Sequence, residues 1–307
     1  MNAVRFPPER EKHMETKGNI YKQMDLAKQQ ATRIIGTYIN WKDLGVEHNL
    51  IAENSERVKG RINYKAFRSD TPLSDEPVAI VGYGPSLRET WPKLRDFKVI
   101  YSGSGAHRFL IDNGIVPTYH VESDPHEYKV ALVGTSHPDV TYLISSICHP
   151  KYFDNLEAVN AKILLWHMLF LEPEIFSYFP KNEWIMTGGH IVGPRMVKMA
   201  RIMGYRNLHI FGLDGSAASP SETHSGNHPN PPKALDRIEI DGQFYWTNRT
   251  WEDHAKILFQ ELDRMPEVKT TFYGDGLIQA MAKKHVPITR AQMPMMVFKG
   301  EDGQCYW

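Results

Sequence analysis

The sequence predicts an α/β protein whose mainly parallel sheet carries helices on both faces. Strand and helix patterns alternate from about residue 78 to residue 284, as expected for a series of βαβ units. The run Val78–Val81 is apolar and rich in β-branched residues, which is typical of a strand buried on both faces. Residues 191–203 carry apolar side chains at helical spacing and are followed by Gly204, a helix stop signal.

The predicted elements follow one another in a regular order. We predict strands at 78–82, 98–102, 119–123, 140–146, 162–166, 208–213 and 268–272. A short helix is predicted to end at Gly114, and three further helices are predicted at 191–203, 250–264 and 277–284. Ser86 and Glu89 fit a capping box, which predicts a helix directly after the first strand. Residues 68–77 are polar and contain prolines, and they predict a linker leading into that strand.

Composition and charge narrow the class of protein. The chain has 307 residues, and its 36 Lys and Arg balance 36 Asp and Glu, so no global field attracts nucleic acid or an anionic membrane. No apolar run reaches the roughly 18 residues of a transmembrane helix, and Met1–Lys12 lacks the apolar region of a signal peptide. Two cysteines outside any C-x-x-C pair predict a reducing, cytoplasmic compartment.

The most informative motif follows the first strand and includes Gly82, Tyr83, Gly84, Pro85 and Ser86. A glycine turn between a strand and a helix N-terminus lets the backbone approach a ligand and predicts an anion site. The turn lacks the third glycine of the dinucleotide fingerprint, so the motif favours phosphate binding over ordinary NAD binding. A tight βα connection without a ligand is the alternative.

Ligands of open parallel sheets bind outside the carboxyl ends of the strands, which makes two further small-residue segments candidates. After the second strand, hydrogen bonds to phosphate or ribose are predicted from Ser102, Gly103 and Ser104. A second anion site at the start of the 191–203 helix is predicted from Thr187, Gly188 and Gly189. Two such sites on one sheet would suit a ligand with a diphosphate, or donor and acceptor groups held together.

Acidic and imidazole side chains also stand at predicted strand ends. Asp124 and Asp214 each follow a strand, where a carboxylate can coordinate magnesium, bind a ribose or accept a proton. The polar loop 219–233 contains His224 and His228, either of which can act as a general base near neutral pH. Their spacing of four would suit zinc on a helix, but glycine and prolines in the loop argue against a helix.

Three blocks of this sequence together resemble the MptE-like superfamily. They are Val81–Leu87, Gly114–Tyr119 leading to Asp124, and Thr187–Gly189 through to Gly212-Leu213-Asp214. The superfamily includes archaeal 6-hydroxymethylpterin diphosphokinases and the central domain of bacterial motility accessory factors, which are implicated in flagellin glycosylation. The chain is also similar to bacterial lipo-oligosaccharide sialyltransferases. The resemblance covers about residues 77–284.

The resemblance implies a Rossmann-like nucleotide cleft. It implies nucleotide contacts at Gly82, Gly84, Pro85 and Ser86, phosphate contacts at Thr187, Gly188 and Gly189, and Asp124 and Asp214 within the cleft. His224 resembles the catalytic histidine of the sialyltransferases. Tyr83 stands where those enzymes have asparagine, so the resemblance does not extend to a cytidine-specific contact.

We therefore expect a nucleotide-dependent transferase, with two alternative reactions. The first is glycosyl transfer from a nucleotide-activated sugar donor to a hydroxyl-bearing acceptor, with His224 as the base. The alternative is transfer of pyrophosphate from ATP to a hydroxymethylpterin, with magnesium held by Asp124 or Asp214. A nucleotide-binding module without catalysis is the third hypothesis.

Three segments are predicted along the chain. Residues 1–76 form an N-terminal helical arm and linker, 77–284 the Rossmann-like nucleotide-binding catalytic domain, and 285–307 a C-terminal tail. The spaced apolar residues of the arm approximate one helix face. The arm is expected to pack on the main body, and an alternative role is partner binding or homo-oligomerisation.

Overall fold

The structure, a computed structural model, describes most of the predicted catalytic domain. The described residues are 49–58, 72–168, 178, 185–186, 191–229, 234–285, 298–299 and 305–306. Most of the predicted N-terminal arm and C-terminal tail lies outside these ranges. The three predicted domain boundaries therefore stay predictions.

The described part of the chain contains twelve strands. In chain order they are β1 Ser74–Val81, β2 Val99–Gly103, β3 Tyr119–Glu122, β4 Thr141–Ser145, β5 Lys162–Met168, β6 Ile185–Met186, β7 Tyr205–Phe211, β8 Asp236–Ile240, β9 Gln243–Thr247, β10 Lys269–Phe272, β11 Phe298–Lys299 and β12 Cys305–Tyr306. Eight of them form one sheet in the order β10-β7-β1-β2-β3-β4-β5-β6, and every pairing within it is parallel. The pairs β8–β9 and β11–β12 are antiparallel.

Helices connect these strands within the described ranges. They are α1 Leu50–Arg57, α2 Leu87–Thr90, α3 Ala106–Asp112, α4 Tyr128–Val133, α5 Pro150–Ala158, α6 Val192–Ile202, α7 Arg249–Asp263 and α8 Leu277–Lys284, with a 3₁₀ helix at Trp91–Asp96 after α2. None of them is both long enough and apolar enough to cross a bilayer. The predicted cytoplasmic location stays a prediction.

Alternate residues of β1 face two different layers of helices. Val78 and Ile80 are fully buried in a core shared with α6, α7 and α8, whereas Ala79 and Val81 are buried in a core shared with α2 and α3. Successive side chains of a strand point to opposite faces, so an unbroken apolar run requires cover on both. This arrangement confirms the predicted α/β, Rossmann-like class with helices on both faces of the sheet.

The first strand begins earlier than the sequence predicts. It starts at Ser74 and not at residue 78, so residues 74–77 of the predicted linker belong to the sheet. Ser74 and Pro77 pair with β7, whereas pairing with β2 starts at Val78. Proline has no N–H to donate, and it is tolerated here because the strand still has a free edge on one side.

The predicted capping box at Ser86 is wrong. Ser86 itself has helical backbone angles, its side chain caps no helix N–H, and α2 is only four residues long. Its hydroxyl donates instead to the carboxylate of Asp214, 2.5 Å away. Ser86 thus binds a buried carboxylate from a distant segment and not a backbone N–H group of its own helix. Because α2 is so short, the expected helix dipole contributes little at this turn.

The hairpin β8–β9 lies between the polar loop 219–233 and the predicted helix at 250–264, where no strand was predicted. Its strands are joined by Asp241 and Gly242, both with positive φ. An Asp-Gly pair with this backbone between two β-patterned runs is a strong hairpin signal, and the sequence prediction missed it. The helices α4 and α5 were also not predicted.

The order of the strands places a topological switch point between β7 and β1, the second and third strands from one edge of the sheet. From β1 the chain moves outward through β2 to β6 and then returns to β7 on the opposite side of β1. In open α/β sheets, ligands bind in the crevice outside the carboxyl ends of the strands at such a point. A ligand site is therefore expected at the loops after β1 and β7.

Candidate functional site

A cavity of about 590 Å³ opens at the switch point, above the carboxyl ends of β1, β2, β3 and β7. Its volume falls within the range of about 300–1,000 Å³ that is typical of small-molecule sites. The predicted residues that line it are Gly82, Tyr83, Gly84, Gly103, Ser104, Asp124, Asp214, His224 and His228. The structure thus brings most of the predicted site residues around one space.

Other predicted site residues stand apart from the cavity wall or outside the described chain. The lining does not include Pro85, Ser86 or Ser102. Ser102 lies inside β2, where its hydroxyl is within hydrogen-bond distance of the Nδ1 atom of His120 (3.0 Å). The predicted phosphate contacts at Thr187, Gly188 and Gly189 fall outside the described residues and stay predictions.

The glycines after β1 are required by the neighbouring turn after β7. The Gly84 N–H donates to the carbonyl of Gly212 at 2.7 Å, and the Gly82 N–H donates to that of Phe211 at 2.9 Å. A Cβ atom at Gly84 would overlap the carboxylate of Asp214 and lie 2.7 Å from the Gly212 oxygen. These glycines therefore allow two backbone turns to touch, whereas the sequence predicted close approach to a ligand.

Asp214 ties three segments together at the edge of the cavity. Its buried carboxylate accepts hydrogen bonds from the Ser86 N–H (2.8 Å), the Ser86 hydroxyl (2.5 Å) and the Gln279 amide (3.3 Å). Burial raises the pKa of Asp214 to about 6, although the bonds from Ser86 act in the opposite direction. The carboxylate thus joins the β1 turn, the end of β7 and α8. Its predicted catalytic and magnesium-binding roles stay predictions.

Replacing Asp214 by asparagine is expected to remove part of the pH dependence of stability. Because the pKa is about 6 in the folded chain against an ordinary 3.8, the folded state holds this proton more tightly. The free energy of unfolding of the wild type should therefore fall by about 3 kcal/mol relative to D214N as the pH rises from 3.5 to 7. Urea unfolding at the two pH values measures the difference.

A matched control for this prediction is Asp139→Asn, since the side chain of Asp139 is 83% exposed. Its stability should follow that of the wild type at both pH values. An equal stability difference between the wild type and D214N at pH 3.5 and pH 7 would contradict the raised pKa of Asp214.

Lys129 supplies a positive charge to the cavity that the sequence analysis missed. Its ammonium group donates to the Ser104 hydroxyl at 2.9 Å and lies 3.7 Å from Asp124. Burial lowers the pKa of Lys129, but the neighbouring Glu122 and Asp124 more than offset it, so the net pKa is raised and the charge is kept. The only signal in the sequence was a lysine shortly after the aspartate of the third strand.

The carboxylate of Asp124 is held by its own loop. Its Oδ1 atom accepts from the His126 N–H at 2.9 Å and lies 2.6 Å from the His126 ring, while Oδ2 accepts from the Tyr128 hydroxyl at 3.3 Å. Among the described residues, no group of three or more His, Cys, Asp or Glu could hold a metal ion. Magnesium bound through Asp124 or Asp214 would therefore need oxygen ligands from substrate phosphate and water.

Glu122 is an acidic residue of the cavity wall that the sequence analysis missed. It is the last residue of β3 and is 2% exposed, and its Oε1 atom accepts from the N–H groups of Ser123 (2.8 Å) and Asp124 (3.2 Å). Burial raises the pKa of Glu122. The last three residues of β3 are all buried, and this buried strand end carries the carboxyl group below the surface.

His224 presents a neutral imidazole to the cavity. Its Nδ1 atom lies 2.9 Å from the Thr223 hydroxyl, and its ring stacks on His228 with centroids 4.1 Å apart. Burial lowers the pKa of His224 to about 3, and the charges of His228 and Lys129 lower it further. When Nδ1 carries the hydrogen and donates to Thr223, Nε2 keeps a lone pair that can accept a proton.

The beginning of α7 contributes a further part of the wall that the sequence analysis did not assign. Asn248 caps this helix by accepting from the Trp251 N–H at 2.9 Å, and Asn248, Trp251 and His254 line the cavity. The Trp251 ring meets His224 edge to face, with centroids 6.2 Å apart. An asparagine just before the predicted helix at 250–264 was the available signal.

The fold and the cavity define the chain as an α/β protein of Rossmann-like type with a small-molecule site at the switch point. A family model described as "6-hydroxymethylpterin diphosphokinase MptE-like" matches residues 49–219, more than half of the chain. The chain belongs to this MptE-like family, which confirms the resemblance seen in its sequence motifs. Among curated proteins, no sequence matches it.

Three solved structures resemble this chain at low sequence identity, and the first of them shares its fold. The MAf glycosyltransferase from Magnetospirillum magneticum AMB-1 is 20% identical, with a TM-score of 0.53 over 78% of this chain and 41% of that one. The chain thus spans about two fifths of the length of that protein. Two structures of a mammalian sialyltransferase, both 12% identical over 76% of this chain, cover 89% and 88% of theirs with TM-scores of 0.33 and 0.35.

Proposed function

We propose that the chain is a transferase that binds a nucleotide-activated sugar in the switch-point cavity and transfers the sugar to a hydroxyl group. The observation that carries this proposal is the neutral imidazole of His224 on the cavity wall, within the electrostatic reach of Lys129. Glycosyl transfer needs a proton acceptor at the acceptor hydroxyl and a fixed positive charge at the leaving nucleotide phosphate. Membership of the MptE-like family and the fold shared with the MAf glycosyltransferase support it.

In this reaction the bond between the sugar and the nucleotide phosphate breaks, and a bond from the sugar to the acceptor oxygen forms. The Nε2 atom of His224 takes the proton of the acceptor hydroxyl, and the electron pair of the broken bond stays on the nucleotide phosphate. Lys129 then stabilises the charge that develops on that phosphate. An anionic donor near Lys129 also offsets the charge that lowers the pKa of His224, which makes the imidazole a stronger base.

The nucleotide contacts proposed for this site are those predicted residues that line the cavity. They are Gly82, Tyr83, Gly84, Gly103 and Ser104. Ser104 has a positive φ of 54°, an uncommon backbone for serine, and it receives the hydrogen bond from Lys129. A serine held in this way beside a cation suits a phosphate oxygen.

Pyrophosphate transfer from ATP is the second candidate, and it is favoured by the description of the matching family. It would use magnesium shared between substrate phosphates and Asp124 or Asp214, with charge neutralisation as the main source of catalysis. A nucleotide-binding module without catalysis is the remaining alternative.

One set of measurements separates these functions. Thermal shifts with CMP, UDP, GDP and ATP, with and without magnesium, identify a nucleotide that binds the folded chain. Turnover is then followed by nucleotide release from the matching sugar donors, and by AMP release from ATP in the presence of a hydroxymethylpterin. Nucleotide release from a sugar donor supports glycosyl transfer. AMP release alone favours the diphosphokinase, and binding without either product favours the module.

A further inference from the structure

The loop that carries His224 is held by one arginine that the proposed reaction does not use. The Nε atom of Arg88 donates to the carbonyl of Ser225 at 2.9 Å, and Nη2 donates to the carbonyl of His224 at 2.8 Å. Its third nitrogen, Nη1, forms an ion pair with Glu222 at 3.1 Å. One guanidinium thus binds three residues of a single loop, and two of these bonds reach backbone carbonyls.

The same loop is also bound to the glycine turn just before Arg88. The Ser225 N–H donates to the carbonyl of Tyr83 at 3.0 Å, and the Ser225 hydroxyl donates to that of Gly84. A Cβ atom at Gly226 would overlap the Tyr83 hydroxyl, so the loop passes directly against that hydroxyl group. The segment from Tyr83 to Arg88 therefore forms a platform on which the loop 222–226 rests.

These contacts fix the direction in which His224 points. The guanidinium binds the carbonyls of His224 and Ser225, which belong to two successive peptide groups, and this holds both peptide planes. The side chain of Thr223 then binds the ring itself at Nδ1. A planar guanidinium presents its donors in a rigid fork, so it can hold two adjacent carbonyls where a lysine could hold one.

We propose that Arg88 is a positioning residue that fixes the loop 222–226 on the Tyr83–Arg88 platform and so holds the imidazole of His224 in the cavity. The proposal rests on the proposed function, because it assigns catalytic use to the imidazole. It accounts for Arg88 and Ser225, which do not line the cavity, and for the glycine at 226, which lies against the Tyr83 hydroxyl.

The test compares Arg88→Ala and Arg88→Lys with the wild-type chain in hydrogen–deuterium exchange. We expect backbone exchange in residues 219–229 to accelerate on the order of tenfold in R88A, with the strands of the sheet unchanged. R88K should recover part of this protection. Arg95→Ala is the matched control, because Arg95 lies on the following 3₁₀ helix and donates to the carbonyl of Asn113, outside this loop.

Kinetics of donor turnover then separate positioning from folding stability. We expect kcat of R88A to fall by about 10²-fold while KM for the donor changes little, since a displaced base weakens the reaction more than binding. Unchanged exchange in residues 219–229, or an unchanged kcat despite faster exchange, would overturn the proposal. If the wild-type chain transfers no sugar, the proposed function fails, and the exchange data still decide whether Arg88 holds the loop.

Discussion

Replacing His224 by asparagine is expected to lower the rate of sugar transfer by about 10²–10⁴-fold, the usual contribution of a general base. Asparagine keeps a polar atom near the position of Nδ1, where it can still meet the Thr223 hydroxyl 2.9 Å away in the wild type. It removes Nε2, the atom proposed to accept the proton. Donor turnover, measured as nucleotide release under saturating donor and acceptor, checks the loss.

Donor binding provides the internal comparison for this variant. The thermal shift produced by the nucleotide should be nearly the same in H224N and the wild type, because the substitution leaves Lys129 and the glycine turns in place. His137→Ala is the matched control, since His137 lies before β4 and does not line the cavity. Turnover by H224N within tenfold of the wild type would exclude His224 as the base and make the stacked His228 the next candidate.

Replacing Glu261 by alanine is expected to lower the free energy of unfolding by about 3–5 kcal/mol. Glu261 lies on α7 and its carboxylate is 3.2 Å from the ammonium group of Lys198 on α6, with 4% and 6% of the two side chains exposed. It also pairs with Arg264. Without the carboxylate, the charge of Lys198 would remain in a buried environment that already lowers its pKa. Urea unfolding followed by circular dichroism gives the change.

Gln260→Ala provides the control for this second prediction, because Gln260 precedes Glu261 on the same helix and is only partly buried. It should change the free energy of unfolding by less than about 1 kcal/mol. A loss in E261A no larger than the loss in Q260A would show that the pair contributes little beyond the desolvation of its own charges. The result also concerns the site, since α6 begins at the cavity with Val192 and Gly193.

Much of the fold could be predicted because the hydrophobic pattern of its elements is local. The apolar run from Val78 to Val81 indicates a buried strand, and the helical spacing of the apolar residues in 191–203 indicates a helix. Neither inference needs knowledge of the remaining chain. The order of the strands could not be predicted in this way. Nothing near Val81 indicates that Phe211 becomes its neighbour in the sheet.

In the candidate site too, the residues that could be predicted are those recognisable from their neighbours in the sequence. His224 and Asp214 were predicted because each stands after a strand or in a polar loop, where functional side chains are common. The capping box at Ser86 was wrongly predicted because the Ser86 hydroxyl binds Asp214, a residue 128 positions away, and not the local helix. Arg88 was missed as a support for His224, since its partners lie 134 to 137 positions further along the chain.

The switch point has a consequence for how the chain folds. Strands β1 to β5 are joined in sequence by short crossovers and pair with their nearest neighbours, so contacts within them close small loops. The pairing of β1 with β7 joins Val81 to Phe211 across a long stretch of chain, and closing such a loop costs more entropy and proceeds more slowly. The cavity contains residues from both sides of this pairing. We therefore expect the binding site to be completed late in folding, when the last strands dock on β1.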